Sequence, residues 1–131
     1  MYNAKIMEIF NNPSNVGIMR GADAVGECKN SENGEIIKIY VDVEDNVIKQ
    51  AKFKAFGNAL LIANGSIITE LIKDKKIEEL NNITANDILN ELGEIPLTKM
   101  YCATMCETAL KNIVTDYIKR QEKLLKQISK K

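Results

Sequence analysis

The stretch Ile36-Ile37-Lys38-Ile39-Tyr40-Val41-Asp42-Val43 decides how the chain is read. Ile37, Ile39, Val41 and Val43 fall on one side of an extended backbone, and Lys38, Tyr40 and Asp42 fall on the other. Alternation with a period of two marks a strand with one buried face. Glu44-Asp45-Asn46 is a tight polar break, and residues 47–56 resume the pattern with Ala51, Phe53 and Ala55 on one side. Together the two segments predict an antiparallel hairpin. Just upstream, Asn30-Ser31-Glu32-Asn33-Gly34 is a turn cluster ending in Asn-Gly, a strong hairpin signal. Residues 23–29 before it are ambiguous in pattern and fit an edge strand.

Around this β unit the period changes to that of helices. Ile6, Ile9 and Phe10 predict a short helix over residues 3–11, stopped at Asn12-Pro13 because proline forces the residue before it to extend. Residues 58–73 carry Leu61, Ile62, Ile68, Leu71 and Ile72 with small residues between them, a helix packed closely on its neighbour. Residues 77–80 read as a short turn. Thr84 is a natural N-cap for a helix over residues 85–92, with Asp87 as its partial capping partner and Gly93 as its terminator. Ile95-Pro96-Leu97 reads as an extended linker, followed by one long helix over residues 101–127 whose inner stripe is Leu110, Ile113, Val114, Tyr117 and Ile118. The order of helix, strands and then helices predicts an α+β fold. It consists of a small antiparallel three-stranded sheet with helices on one face and a long C-terminal helix, in a single domain spanning residues 1–131.

Composition narrows the function. The 131 residues are 45% hydrophobic and 27% charged, as in an ordinary globular domain. Lys and Arg number 18 and so do Asp and Glu, so no net charge draws the chain toward nucleic acid or a membrane surface. The locally basic end, Lys119, Arg120, Lys123, Lys126, Lys130 and Lys131, reads as a solvated helix end, and no aromatic residue follows Tyr117 to stack on bases. No apolar run is long enough to span a bilayer, and the first residues lack a signal-peptide pattern, so a cytoplasmic protein is expected. There its three cysteines are reduced. Histidine is absent, which removes the commonest metal ligand and acid–base catalyst, and no phosphate loop, nucleophile–base pair or paired catalytic carboxylates are found. An enzyme is not expected.

Scattered motifs point further. Tyr2, then Phe10-Asn11-Asn12-Pro13-Ser14-Asn15-Val16-Gly17, Ala22-Asp23-Ala24-Val25-Gly26, Phe53-Lys54-Ala55-Phe56-Gly57 and Ile95-Pro96-Leu97-Thr98-Lys99-Met100-Tyr101-Cys102 resemble, in order, the signature stretches of the NifU/IscU-type iron–sulfur cluster scaffolds. Asp116-Tyr117 fits the end of the family's last helix. The resemblance covers nearly the whole chain and implies a scaffold that receives iron and sulfur and hands on clusters. It implies as partners a cysteine desulfurase, an Hsp70-type chaperone and apo iron–sulfur proteins, with no nucleic acid or membrane, and a monomer or homodimer.

The same resemblance exposes a departure. The family builds its cluster on three cysteines helped by an Asp and a His. Here the first cysteine position is Asn33, the Asp position is Glu35, the second cysteine position is Asn58 and the His position is Tyr101. Only Cys102 is kept, with Lys99 beside it. The chaperone-recognition stretch has lost one proline at Leu97. Iron–sulfur clusters are normally held by four protein ligands, mostly thiolates, and an Asn amide is a poor substitute. A shift that brings Cys28 onto the first position would spoil the hairpin register.

Three readings of the thiols follow. Cys102 and Cys106 lie four apart at a helix start, and with Cys28 and Glu35 they form a candidate replacement set for an iron–sulfur cluster or iron, or for a mononuclear zinc or iron site. A dimer sharing one cluster across two such pairs also completes four thiolates. Alternatively, Cys106 and Cys28 are small buried hydrophobes and the chain is a cluster-free module that docks a desulfurase or client.

Overall fold

In the computed structural model, which describes residues 2–129, the elements follow the expected order. Helix α1 (Ala4–Asn11) precedes strands β1 (Ala24–Lys29), β2 (Ile36–Glu44) and β3 (Val47–Phe56). Helices α2 (Ala59–Ile72), α3 (Ala85–Leu92) and α4 (Tyr101–Ser129) follow, with 3₁₀ turns at Ile77–Asn82 and Leu97–Lys99. The three strands form one antiparallel sheet in the order β1-β2-β3.

Alternation explains most of the sheet. Ile37, Ile39 and Val41 are fully buried, and Ile39 pairs with Gly26 on one side and Phe53 on the other. These residues share the face that α2 and α4 cover. Asp45 and Asn46 close the β2–β3 hairpin with positive φ values of 52° and 67°, the backbone of a type I′ turn. A register shift between Asp42 and Val43 then places Ile48, as well as Ala51, in the core. Strict alternation misses Ile48 because the bulge puts an extra residue in one strand.

Two glycines set how closely the helices lie. A Cβ on Gly26 would stand 2.1 Å from the Ala109 carbonyl oxygen and 2.7 Å from the Ile113 nitrogen, so α4 touches the β1 backbone itself. A Cβ on Gly65 in α2 would stand 2.5 Å from the Phe53 ring. The N-terminal segment protects the outer edge of β3, where Phe53 N–H donates to Asn15 O and Gly17 N–H donates to Phe53 O. Thr84 and Asp87 form a reciprocal capping box on α3, and Gly93 ends that helix with φ of 79°.

The inner stripe of α4 is shorter than expected. Leu110, Ile113 and Val114 are buried and Tyr117 is half-buried, but Ile118 is 50% exposed because the sheet beneath the helix has ended. The linker after α3 is not wholly extended: the 3₁₀ turn at Leu97–Lys99 leads into α4. In the basic end, Lys119, Arg120, Lys123 and Lys126 are exposed on α4, and Lys130 and Lys131 lie outside the described residues. Among the described residues no helix is long and apolar enough to cross a membrane.

Gly26→Ala should lower stability by about 3 kcal/mol through overpacking against α4, read as a lower urea midpoint at unchanged slope. Gly21→Ala should cost only about 1 kcal/mol, the price of an alanine at positive φ, since its φ is 72° and nothing lies within 4 Å of the added Cβ.

Candidate functional site

Three backbone junctions meet at one end of the sheet: the β1–β2 turn, the β3–α2 step and the start of α4. Each contributes polar side chains to a single cluster. Asn33 sits in the turn, Glu35 directly before β2, Asn58 directly before α2, and Tyr101 and Cys102 in the first turn of α4.

Asn58 is the hub. Its Oδ1 caps α2 by accepting from Leu60 N–H at 2.8 Å and Leu61 N–H at 3.3 Å. Asparagine is a favoured N-cap because its short side chain satisfies otherwise orphaned amides. With Oδ1 so occupied, Nδ2 faces the cluster and lies 2.9 Å from Glu35 Oε2, 3.0 Å from Tyr101 Oη and 3.6 Å from Cys102 Sγ. Asn58 N–H donates to the same Glu35 oxygen at 2.9 Å. The other carboxylate oxygen of Glu35 accepts from Asn33 Nδ2 at 2.7 Å and from the Tyr101 hydroxyl. Gly57 makes room for this carboxylate, since a Cβ there would stand 2.1 Å from Glu35 Oε2.

The electrostatics follow from these contacts. Desolvation works to raise the Glu35 pKa, but hydrogen bonds from Tyr101 and Asn58 and the charge of Lys99 outweigh it and hold the carboxyl below its ordinary value. The Tyr101 phenol is raised by desolvation and by donating to Glu35. Burial raises the Cys102 thiol; hydrogen bonds from Asn58 and Tyr101 and the Lys99 charge oppose this only in part, and the Glu35 charge adds to it. Lys99 therefore acts on the cluster through its charge, beside it rather than within it.

Cys102 is fully buried, and the remaining thiols lie outside its hydrogen-bonded cluster. Cys106 is wholly buried, and its pKa is raised by burial and then by the neighbouring Cys102 and Cys28. Cys28 is half-buried on β1 opposite Ile37, and its pKa is raised by burial and by Glu27. The structure does not assemble the expected set of Cys28, Cys102, Cys106 and Glu35: among the described residues no three His, Cys, Asp or Glu side chains are grouped to hold a metal ion. Cys106 is packed in the core, and the Glu35 oxygens are already engaged. What the structure does bring together are Asn33, Glu35, Asn58 and Tyr101, with Cys102. Tyr101 is part of this network although the sequence gives it no role. The readable signal for Asn58 was its place directly before a helical run, the position of a cap.

A fold with a scaffold-like sheet and helix arrangement, and a polar site at the head of its last helix, defines the class. Residues 1–124 match the family described as the NifU-like N terminal domain, and the chain belongs to that family. It is 40% identical over 124 residues to the iron-sulfur cluster assembly scaffold protein IscU 1 of Archaeoglobus fulgidus, covering 95% of this chain and 81% of that protein. It is 38% identical to the IscU scaffold protein of Aquifex aeolicus, covering 92% and 78% of the two chains. Among solved structures, the N-terminal part of a NifU-like protein from Brucella abortus superposes with a TM-score of 0.65 at 20% identity, covering 92% of this chain and 94% of that one. At that identity the likeness speaks for the fold.

Because the folded pKa of Glu35 is depressed, its ionised form stabilises the protein above its ordinary pKa, and that contribution is lost as pH falls through the folded value. Glu35→Gln should therefore cost about 1 kcal/mol at pH 7, a figure kept low because the carboxylate is half-exposed. The gap to wild type in chemical denaturation should close as pH falls below the ordinary value of 4.5. A gap independent of pH would show that the network does not depend on the carboxylate charge.

Proposed function

We propose that the chain serves iron–sulfur cluster assembly as a scaffold that takes up iron and sulfur at Cys102 and passes the product on. The observation that carries this reading is the position of Cys102: it is the one thiol at the junction of the β1–β2 turn, the β3–α2 step and α4, in contact with Asn58. The relatives named as cluster assembly scaffolds match this chain over that whole region.

The cluster is cargo, and the site fits it only in part. One thiolate falls short of the four ligands a cluster normally takes, and the oxygen donors around it are hard. The missing ligands then come from outside this site, from the sulfur-donating cysteine desulfurase, a second copy or the receiving apo iron–sulfur protein. Loading also requires the Asn58 amide and the Tyr101 hydroxyl to move off Cys102. Lys99 supplies positive charge that favours a sulfur anion there. An Hsp70-type chaperone is the proposed partner of the segment Ile95-Pro96-Leu97-Thr98-Lys99, whose Leu97 is 81% exposed.

Anaerobic reconstitution with iron and sulfide, followed by metal and acid-labile sulfide analysis, tests the reading. Wild type should retain iron and sulfide together, Cys102→Ala should retain neither, and Asn58→Cys should retain more than wild type because it returns a thiolate to the site. Wild type that holds no more than Cys102→Ala would overturn the scaffold reading. Iron or zinc bound without sulfide would replace it with a mononuclear site.

A further inference from the structure

The last three turns of α4 leave the body of the protein. The final long-range hydrogen bonds of the helix are at Asp116, whose Oδ2 accepts from Val25 N–H at 2.8 Å, and at Arg120, whose Nη1 donates to Ala22 O at 2.9 Å. Arg120 and Asp116 also pair with each other at 3.0 Å. Every described residue from Ile118 onward is exposed. At about 1.5 Å per residue, residues 121–129 project roughly 14 Å beyond that anchor.

The apolar stripe does not stop where the body stops. Val114, which is buried, is followed on the same side by Tyr117, Ile118, Leu124, Leu125 and Ile128, within an arc of roughly 120° on an ideal helix that Gln121 alone interrupts. The last four of these are 50% to 62% exposed. A stripe of this width is that of a helix packed into a core or groove, broader than a coiled-coil seam. It continues the face already used for packing, and among the described residues nothing covers it.

We propose that this segment is a docking helix for a partner protein that offers an apolar groove with an acidic rim. Charge selects the occupant. Residues 118–129 carry Lys119, Arg120, Lys123 and Lys126 against Glu122 alone, and among the described residues no carboxylate pairs with the three lysines. A second copy would bring the same positive charge onto this one, and like charges brought together across an interface are costly. An anionic lipid surface suits the lysines less well than a groove does. Glu122 flanks the apolar stripe, and no aromatic side chain beyond Tyr117 is available to anchor at the headgroup level. The surface lies at the opposite end of α4 from Cys102, so it is independent of the chemistry there.

The test uses the full chain and a fluorescein-labelled synthetic amphipathic helix with leucines on one face and glutamates flanking them, with a lysine-flanked peptide as its counterpart. Fluorescence anisotropy should show the acidic peptide binding, weakened at least tenfold by Leu124→Ser with Leu125→Ser and by raised salt, and the basic peptide not binding. Both substitutions are on exposed positions and should leave the thermal midpoint unchanged, which keeps a loss of binding from being a loss of fold. Equal binding of both peptides, or of neither, would overturn the proposal. So would a wild-type dimer in sedimentation that the double variant disperses, which assigns the face to a second copy, or co-sedimentation with phosphatidylglycerol vesicles, which assigns it to lipid.

Discussion

A helix can rest directly on a strand only where that strand has no side chain to hold it off, and Gly26 is where α4 does so. With the Ala109 carbonyl 2.1 Å from where a Cβ would sit, α4 has no freedom to lift or roll at that point. Asp116 fixes the helix further along by accepting from the β1 backbone at Val25. These two contacts set the height and rotation of α4 on the sheet, and hence where its first turn arrives. Tyr101 and Cys102 reach Asn58 and Glu35 because the helix is held down two turns away.

That meeting point is held by hydrogen bonds. Asn58 serves two elements at once: Oδ1 ends α2 and Nδ2 faces Glu35, Tyr101 and Cys102. A cysteine in its place would leave the Leu60 and Leu61 amides without that cap and the Glu35 carboxylate without one donor. The amide therefore works as a cross-link among three segments, with the charge of Glu35 at its centre and Asn33 closing it from the turn. Buried and half-buried polar groups are stabilising only when their partners are all present. Asn33, Glu35, Asn58 and Tyr101 are consistent with one another in that sense, since each has a partner among the others.

The fold was legible because it rests on local signals. Alternation in β2, the Asn33-Gly34 and Asp45-Asn46 turns and the Thr84 and Asp87 capping pair all act within or between neighbouring residues in the chain. What escaped were features fixed by tertiary context. The bulge beside Asp42 moved Ile48 inward, and the end of the sheet left Ile118 without cover. Of the site, the resemblance marked the positions that the structure brings together, Asn33, Glu35, Asn58, Tyr101 and Cys102. The fate of the cysteines was not legible, because a thiol four residues along a helix shares a general direction with its neighbour but not its surroundings. Cys102 and Cys106 are both fully buried, but it is Cys102 that lies beside the Asn58 amide. The role of Tyr101 was hidden for a similar reason: its partner Glu35 is 66 residues away and meets it only once the turn folds back.

The two ends of α4 are thus under different constraints. Its first turn is tied into a network in which any shift costs hydrogen bonds to a charged group, whereas its last turns carry apolar side chains that are exposed. Cys102 and Leu124 are separated by about 33 Å of continuous helix. A partner held at the far end is therefore out of reach of the thiol unless it spans that length, and it can influence the thiol only by moving the helix as a rigid rod. Gly26 and Asp116 lie between the two ends and oppose that motion, so occupation of the distal stripe should tether a partner without opening the site. Opening has to come from what acts on Asn58, Glu35 and Tyr101 directly.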